Sequence, residues 1–191
     1  MTHMKRGLLI ILSGPSGVGK GTLRKYIMRD KALNLSYSIS MTTREPRNKE
    51  KDGVDYYFVT KEEFQENIDK DNFLEWAEFV GNRYGTPKSH VDALRDKGVN
   101  VFLEIEVNGA SQVMSKVHDE GLVTIFLMPP SLKALEDRIR KRKTESEELI
   151  EARLNKGKSE MNLASNYQYV VINDKVKRAA NEIIDIIKSR L

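Results

Sequence analysis

The sequence contains no cysteine, only three histidines and no long apolar run. Without cysteine, the chain cannot form disulfides, use a thiolate nucleophile or bind a metal through sulfur. His3, His90 and His118 are far apart in the sequence, so a site with several histidine ligands is not expected. The longest apolar run, Leu8–Leu12, is far shorter than the ~20 residues of a membrane-spanning helix. We therefore expect a cytoplasmic protein without a membrane partner.

The chain also lacks a strong excess of charge of one sign. Its 32 basic and 28 acidic residues give a net charge of +4 over 191 residues. Such a surface can bind an anionic ligand but falls short of the dense basic face of a dedicated nucleic-acid-binding protein. No nucleic-acid partner is expected. The length and the 39% of hydrophobic residues predict one domain with a proper hydrophobic core.

Apolar strands alternate with helical segments along most of the chain, which is typical of an α/β fold with a parallel central sheet. Several strands follow one another between residues 35 and 85, and this stretch is interpreted as a small mixed α+β lobe inserted into the core. A helix pair over about 131–164 forms a second projection. The single domain, 1–191, is thus divided into a core (about 5–34, 92–130 and 165–191), an inserted lobe (35–91) and a helical projection (131–164).

Local signals predict the individual elements. Strands are predicted at Leu8–Leu12, Leu35–Ser40, Tyr56–Val59, Phe73–Val80, Val99–Ile105, Val123–Leu127 and Tyr169–Ile172. Helices are predicted over about 20–30, 61–70, 88–96, 132–142 and 145–164, and a closing helix carries an apolar stripe at Ala179, Ala180, Ile183, Ile184, Ile187 and Leu191. Capping boxes are indicated by Thr60 with Glu63 and by Thr144 with Glu147, and Gly81-Asn82 suits a hairpin turn.

The segment Gly14-Pro15-Ser16-Gly17-Val18-Gly19-Lys20 follows the first apolar strand and opens a helix. This context is the one that a P-loop requires. Glycines let the backbone wrap closely around phosphates, and N–H groups at the helix N-terminus point toward the anion. Lys20 adds a mobile cation for the β- and γ-phosphates. The alternative, a glycine-rich turn that binds nothing, is disfavoured by the strand–turn–helix context.

One position departs from the usual P-loop pattern. Gly21 stands where a serine or threonine hydroxyl would contact Mg²⁺, and Thr22 follows it. The resulting Gly-Lys-Gly-Thr sequence is similar to that of adenylate kinases. We expect Mg²⁺ to be held mostly through phosphates and waters, or with assistance from Thr22, rather than by Gly21. The protein ligand of the metal stays undetermined, and Gly14 to Thr22 form the candidate ATP-binding loop.

A second candidate anion site lies on the loop Thr42-Thr43-Arg44-Glu45-Pro46-Arg47. Arginine is the preferred side chain for bidentate phosphate binding, and this loop carries two of them. The tyrosines that follow are Tyr56, Tyr57 and Tyr84. Phenols and arginines around a groove would suit a nucleoside monophosphate. From the residues alone, a solvated charged loop explains the pattern equally well.

With the P-loop segment and the arginine-containing loop both identified, the chain closely resembles the guanylate kinase family over nearly its whole length. The family's signature positions are present at the family's spacing as Thr42, Thr43, Arg44, Arg47, Glu50, Gly53, Tyr56, Phe58 and Val59. The resemblance implies a P-loop three-layer sandwich in which 35–91 is a GMP-binding lobe and 131–164 is a lid. It also implies transfer of the γ-phosphoryl group of ATP to GMP, with Mg²⁺ as cofactor.

The resemblance assigns roles in the GMP-binding lobe. The residues that hold the GMP phosphate correspond to Arg44, Arg47, Tyr56 and Tyr84, and those that face guanine correspond to Ser40, Glu75 and Thr86. A carboxylate can accept hydrogen bonds from the N1–H and 2-amino groups of guanine, whereas adenine offers no such pair of donors. The pattern alone favours a solvent-facing strand residue at Glu75, so its assignment rests on the resemblance.

A basic cluster lies in the lid segment. It consists of Arg138, Arg140, Lys141, Arg142 and Lys143, and Arg153 lies on the next predicted helix. The composition alone indicates a solvated helix face. In the family the matching arginines reach the triphosphate when the lid closes, so the resemblance implies catalytic roles for Arg138, Arg142 and Arg153 beside Lys20. Lys143 departs from the family's usual glycine.

Two acidic residues, Glu104 and Glu106, end an apolar strand on one face. Next to a P-loop they could order the waters of Mg²⁺ or contact the substrate base, and both are candidate GMP-binding residues. The family commonly has Asp and Gln where this chain has Glu106 and Asn108, which leaves the metal role of Glu106 open. Asn173 matches a position near the adenine of ATP.

The predicted function is therefore ATP:GMP phosphotransfer in purine nucleotide metabolism, with dGMP as a further acceptor. Two alternatives stay open: a kinase for another nucleoside monophosphate, and a catalytically inactive guanylate-kinase-like module that binds phosphorylated partners. Ser40, Glu75 and Thr86 argue against the first, and the retained Lys20 and loop glycines argue against the second. The sequence makes no prediction of the oligomeric state.

Overall fold

The computed structural model describes residues 5–142 and 145–191. Its strands are β1 (Leu9–Ser13), β2 (Leu35–Tyr37), β3 (Met41–Thr42), β4 (Tyr57–Phe58), β5 (Phe73–Phe79), β6 (Asn82–Pro87), β7 (Asn100–Glu104), β8 (Leu122–Met128) and β9 (Tyr169–Ile172). Its α-helices are α1 (Lys20–Ile27), α2 (Lys61–Asp69), α3 (Lys88–Asp96), α4 (Val107–Lys116), α5 (Leu132–Lys141), α6 (Glu147–Met161) and α7 (Val176–Arg190). Each of these helices is too short or too polar to cross a bilayer.

The central sheet has five parallel strands in the order β2-β7-β1-β8-β9. Strand β1 lies in the middle and is buried along its whole length. Its side chains alternate between two cores, with Ile10 and Leu12 on one face and Leu9 and Ile11 on the other. Because helices cover both faces, the molecule has three layers, and the predicted α/β class with a parallel central sheet is confirmed.

Different helices build the two cores. The first contains buried side chains of α1, α5 and α7, including the predicted stripe of α7 from Ala179 to Ile187. Leu191, at the end of that stripe, is exposed. The second core contains Val91 of α3 and Val113 of α4. Burial of these stripes is what holds helices of moderate length in place, since propensity alone stabilises them weakly.

A second, mixed sheet of four strands has the order β4-β3-β6-β5. Strands β3 and β4 are parallel, while β3–β6 and β5–β6 are antiparallel. Helix α2 packs against this sheet through Phe64, whose ring lies 4.5 Å from that of Phe73 and 6.3 Å from that of Trp76. The inserted α+β lobe is therefore present. Its expected first strand differs, because β2 pairs with β7 in the central sheet.

Helix α4 was not predicted from the sequence. It follows β7 almost directly, and its N-cap Glu106 makes no side-chain capping bond within the described part of the chain. Two of its four buried positions, Gly109 and Ala110, contribute little apolar signal. The helix nevertheless packs on both sheets. Its Val107 and Val113 share the second core with β1 of the central sheet, and Gln112 bonds the backbone N–H and C=O of Trp76 in β5 at 3.1 and 2.9 Å.

The turn of the β5–β6 hairpin and the cap of α6 differ from their predicted positions. The β5–β6 hairpin turns at Val80-Gly81, whose φ values are 49° and 73°, one residue before the predicted Gly81-Asn82. Helix α6 is capped by Ser146, which accepts a bond from the N–H of Leu149. The predicted cap, Thr144, lies outside the described residues. The other predicted capping box, at the start of α2, is confirmed in both of its bonds.

Candidate active site

The loop after β1 presents backbone N–H groups at the start of α1. Gly19 is the N-cap residue and has φ of 103°, a conformation that favours glycine. A Cβ at Gly19 would lie 2.7 Å from Asn173 Nδ2, so a larger residue would disturb the loop. Within residues 5–142 and 145–191, no side chain caps this helix. Its first N–H groups can therefore donate to an anion, which the helix dipole also favours.

Lys20 folds back over the loop. Its Nζ donates to the carbonyl of Gly14 at 2.6 Å and to that of Pro15 at 3.2 Å. Burial lowers the pKa of Lys20, and the negative charges of Glu104, Glu160 and Glu106 oppose that shift, Glu104 most strongly. Lys20 Nζ is thus held at the loop by backbone carbonyls, which phosphate oxygens could replace.

A cleft of about 510 Å³ opens in front of the loop. It brings together most of the loop residues predicted to bind ATP with three more of the predicted site residues. The cleft is lined by Ser16, Gly17, Gly19, Lys20, Gly21, Thr22, Arg24, Lys25, Glu104, Ile105, Glu106 and Arg142. The sequence does not predict that Glu104 and Arg142 line the same cleft, because the two residues are 38 positions apart.

Arg24 is a cleft residue that the sequence reasoning missed. Its Nε lies 2.7 Å from Glu104 Oε2, and its guanidinium stacks 4.3 Å from the ring centre of Tyr37. The helical spacing of four residues from Lys20 was the signal that could have placed it on the same face. The ion pair fixes the carboxylate at the end of β7 beside the loop.

Arg138 and Asn173 brace the loop from behind rather than lining the cleft. Arg138 donates to the carbonyl of Val18 at 3.0 Å and to that of Asn173 at 2.6 Å. Asn173 is buried, and its Nδ2 donates to the same Val18 carbonyl at 2.9 Å. The two side chains therefore hold the P-loop backbone in place.

The α6 helix carries its own charged contacts. Arg153 Nη2 lies 2.5 Å from Glu145 Oε1, so this predicted catalytic residue is paired within its own segment. Lys156 Nζ lies 3.3 Å from Glu106 Oε2, across the gap between α6 and the start of α4. This contact links α6 to the edge of the cleft.

The candidate second anion site is organised by a carboxylate. Glu50 accepts two bonds from Arg44, both of 3.0 Å, and one of 2.8 Å from the backbone N–H of Arg47. The bonds to Arg44 and Arg47 lower the pKa of Glu50 and the pairing raises that of Arg44. The Arg44 guanidinium lies 5.3 Å from the ring centre of Tyr56, whose ring meets that of Tyr84 edge-on at 6.1 Å. Arg44, Tyr56 and Tyr84 form one cluster, while Arg47 is exposed.

Glu75 is buried, contrary to the pattern-based expectation of a solvent-facing residue. Its Oε1 accepts a 2.7 Å bond from the hydroxyl of Thr86, its neighbour across β5–β6. Burial raises the pKa of Glu75, and the charge of Glu106 adds to the increase. A Cβ at Gly109 would lie only 2.6 Å from Glu75 Oε2, so the carboxylate occupies space that only a glycine in α4 leaves.

Ser40 lies half-buried near the same sheet, and its carbonyl accepts a 2.9 Å bond from the N–H of Tyr57. Gly109 and Glu50 were not assigned functional positions from the sequence. Glu50 had a signal, since it is one of the signature positions, whereas Gly109 had none because α4 itself was not predicted.

Together, the fold and the cleft define a P-loop nucleotide-binding protein whose inserted lobe carries a cluster of arginine and tyrosine side chains. A family model described as guanylate kinase matches residues 6–190. The chain belongs to the guanylate kinase family.

Individual relatives agree with this assignment. The chain is 52% identical over 184 residues to a guanylate kinase of Mycoplasma capricolum subsp. capricolum, and 51% identical over 182 residues to one of Mesoplasma florum. These matches cover 96% and 95% of this chain, which spans 61% of the length of each relative. A crystal structure of guanylate kinase from Anaplasma phagocytophilum superposes with a TM-score of 0.73 at 33% identity, covering 97% of this chain and 86% of that one.

Proposed function

We propose that this chain transfers the γ-phosphoryl group of ATP to GMP, producing ADP and GDP. The observation that carries the proposal is the buried Glu75–Thr86 pair, held beside the Arg44 cluster on a molecule that also has a P-loop. Glu106 lines the P-loop cleft, and its charge contributes to the raised pKa of Glu75, so its carboxylate lies near both half-sites. The names of the relatives support the same reaction.

The P-loop side is assigned to ATP. The N–H groups at the start of α1 and the Lys20 ammonium would hold its β- and γ-phosphates. Arg138 and Asn173 would act by keeping the loop in shape, since both bond the Val18 carbonyl. Asn173 also lies below Gly19, where its amide supports the turn on which the phosphates rest.

The lobe, residues 35–91, is assigned to GMP. Arg44, Tyr56 and Tyr84 would bind its phosphate. Arg47, which is exposed on the same loop, would approach that phosphate from the solvent side. Glu75 would accept from N1–H and the 2-amino group of guanine. With adenine in the same place, the buried carboxylate would lack these donors, at a cost of about 1–3 kcal/mol. Since base and phosphate carry the recognition, dGMP is expected to be a second acceptor.

The acceptor is already an anionic phosphate oxygen, so the reaction requires no general base. The chain has to hold two mutually repelling nucleotides in line and stabilise the charge on the transferred group. Lys20 and Arg142 lie at the cleft for this purpose. Arg153 would reach it only after leaving Glu145, which requires the lid, 131–164, to move over the substrates and exclude water.

The residues present fit a metal held mostly by phosphates and waters. Within the described ranges, no group of three or more Asp, Glu, His or Cys side chains could hold an ion by itself. Glu104 and Glu106 line the cleft with oxygen atoms of the type that Mg²⁺ prefers. Mg²⁺ bound with ATP would neutralise charge on the β- and γ-phosphates.

The proposal is tested by measuring ADP release with ATP and Mg²⁺ while GMP, dGMP, AMP, CMP, UMP and dTMP are offered separately. We expect turnover with GMP and dGMP, and a loss of roughly 100-fold or more in the Lys20→Ala variant. Turnover with a different base would contradict the assigned role of Glu75. A folded protein that is inactive with every acceptor would favour the phosphorylated-partner-binding module instead.

A further inference from the structure

We propose that Gln112 is a positioning residue for base recognition. Its amide joins β5 to α4, and this link sets the direction in which Glu75 presents its carboxylate to the acceptor base. The inference deepens the proposed function and rests on it, because it concerns how the lobe distinguishes guanine from other bases. Gln112 acts through Glu75 rather than through the nucleotide.

The first observation is that a glutamine side chain bonds β5 as a neighbouring strand would. Strand β5 lies at the edge of the mixed sheet and pairs with β6 on its inner side. On the α4 side, Gln112 Oε1 accepts from the N–H of Trp76 at 3.1 Å, and Gln112 Nε2 donates to the carbonyl of the same residue at 2.9 Å. Two antiparallel strands exchange the same two bonds at a hydrogen-bonded position. The Trp76 backbone is therefore fixed to α4 at two points.

The second observation is where this link lies along the two elements. On β5, Trp76 directly follows Glu75. On α4, Gln112 lies three residues after Gly109 and therefore on the same side of the helix. A Cβ at Gly109 would lie 2.6 Å from Glu75 Oε2, so the separation of α4 and β5 decides how much room the carboxylate has. The Gln112 bonds set that separation one residue away from Glu75.

The third observation is that the Glu75 carboxylate is placed from two elements. Its Oε1 accepts a 2.7 Å bond from the Thr86 hydroxyl on β6, while its Oε2 faces Gly109 on α4. Strand β6 is paired with β5 and moves with it, whereas α4 follows β7 of the central sheet. The surroundings of Oε2 therefore depend on the bonds that join β5 to α4.

Guanine recognition is expected to be sensitive to this link because it uses both carboxylate oxygens. In the proposed complex, guanine donates from its N1–H and its 2-amino group. Hypoxanthine, the base of IMP, has the N1–H but lacks the 2-amino group, so it needs only one oxygen. Two parallel bonds to one carboxylate impose a stricter geometry than a single bond. A displaced Glu75 should therefore weaken GMP binding more than IMP binding.

A second link between α4 and β5 is made by Lys116. Its Nζ donates to the Phe73 carbonyl and to Asp71 Oδ1, both at 2.9 Å. This link lies at the start of β5, and the register of β5 against β6 shifts between Phe73 and Glu75. The irregularity separates the lysine link from the carboxylate, so we assign the positioning of Glu75 to Gln112.

The test measures nucleotide binding. The dissociation constants of GMP, IMP and AMPPNP, a non-hydrolysable ATP analogue, are determined by calorimetry, and the ratio of the IMP constant to the GMP constant gives the preference for guanine. Gln112→Met keeps the length of the side chain and removes both bonds. Gln168→Met is the matched control, because Gln168 Oε1 accepts from the N–H of Thr124 in β8, outside the lobe, at 3.0 Å. Circular dichroism reports whether each variant is folded.

We expect the unmodified protein to prefer GMP over IMP about tenfold or more, because IMP leaves one bond to a buried carboxylate unmade. Gln112→Met is expected to weaken GMP binding about tenfold and IMP binding less than about threefold, while AMPPNP binding is kept. Gln168→Met is expected to keep the preference. If Gln112→Met does not fold, Gln112→Asn, whose amide is one methylene shorter, supports the proposal by losing the preference or overturns it by keeping it.

A folded Gln112→Met variant that keeps the full preference for GMP would overturn the inference and leave Gln112 as a structural link alone. Equal losses of GMP, IMP and AMPPNP affinity, or the same loss of preference in Gln168→Met, would also overturn it, since either result indicates a general disturbance. Failure of the unmodified protein to bind GMP would instead contradict the proposed function itself.

Discussion

Glu75 is the residue to which we assign the choice of acceptor base. Its local sequence, Leu74-Glu75-Trp76, gives no sign of function, and strand alternation alone favours a solvent-facing side chain. The side chain is buried because α4 packs over β5, with Gly109 opposite the carboxylate. The resemblance to the family identified this residue, and only the packing of a helix distant in sequence explains its environment.

The raised pKa of Glu75 predicts a pH dependence of GMP binding. The ionised form is the one that accepts from guanine, and burial raises the pKa, so protonation begins at a higher pH than for an ordinary glutamate. Below that pKa, GMP affinity is expected to fall about tenfold per pH unit. The measurement is the KM for GMP between pH 8 and pH 5 in the unmodified protein and in Glu75→Gln.

The Glu75→Gln variant is the control for this profile, because it keeps the titration of the nucleotide phosphate while removing that of Glu75. The difference between the two profiles isolates the carboxylate. Identical profiles would remove Glu75 from base recognition.

Gly109 offers a second test of the proposed guanine site. In Gly109→Ala, the new methyl group would lie 2.6 Å from Glu75 Oε2 and must displace the carboxylate. The KM for GMP is expected to rise about tenfold, equivalent to ~1.4 kcal/mol, with little change for ATP. Ser111→Ala on the same helix is the matched control, since its hydroxyl bonds only the Val107 carbonyl among the described contacts. Equal losses for both nucleotides would indicate a general disturbance of α4 instead.

Elements with strong local signals agree with their predicted positions. Helix α2 begins after Thr60, where the side chain of Thr60 accepts from the N–H of Glu63 and the Glu63 side chain accepts from that of Thr60. Helix α4 has no comparable start signal and was missed. Its position is decided by apolar contacts with β1 and β5 and by the bonds of Gln112 to Trp76.

The capping box of α2 gives a prediction at this scale. Thr60→Ala leaves the N–H of Glu63 without its acceptor and is expected to lower the free energy of unfolding by about 1 kcal/mol. Urea denaturation followed by far-UV circular dichroism measures the change. Thr60→Ser keeps the hydroxyl and is expected to retain nearly full stability. A loss of the same size in both variants would show that the methyl group, rather than the cap, is responsible.

Three elements of the molecule are tied together at the end of the sheet opposite the candidate active site. Arg95 of α3 has only 2% of its surface exposed. It donates to the Gly7 carbonyl at 2.8 Å and makes two bonds to Asp119, of 2.7 and 3.0 Å. These bonds join α3, the entry to β1 and the turn before β8. No local pattern predicts a buried arginine, because its partners are 88 and 24 residues away.

Removing Asp119 tests this link. Asp119→Ala removes two of the bonds made by the buried Arg95 guanidinium, and the free energy of unfolding is expected to fall by about 1–3 kcal/mol at pH 7. The bond from Arg95 lowers the pKa of Asp119, so its contribution is present above the unfolded-state pKa and is lost as the pH falls through the folded-state pKa. Urea denaturation at pH 7 and at pH 3 measures both effects.

Asp92→Ala is the control, since Asp92 pairs with Arg6 and both side chains are more than 40% exposed. Exposed ion pairs stabilise by less than about 1 kcal/mol. If the two variants lose equal stability, the buried position of Arg95 contributes nothing beyond a surface pair.

The sequence by itself determined the alternation of strands and helices, the P-loop at the end of β1 and the arginine–tyrosine loop, because each depends on spacings within a few residues. It also carried the family assignment. The tertiary structure decided which of those side chains meet: Glu104 beside Gly21, Glu75 beneath α4, and Arg138 with Asn173 behind the loop. Such contacts join residues tens of positions apart, and they form only when packing of the two cores brings their elements together.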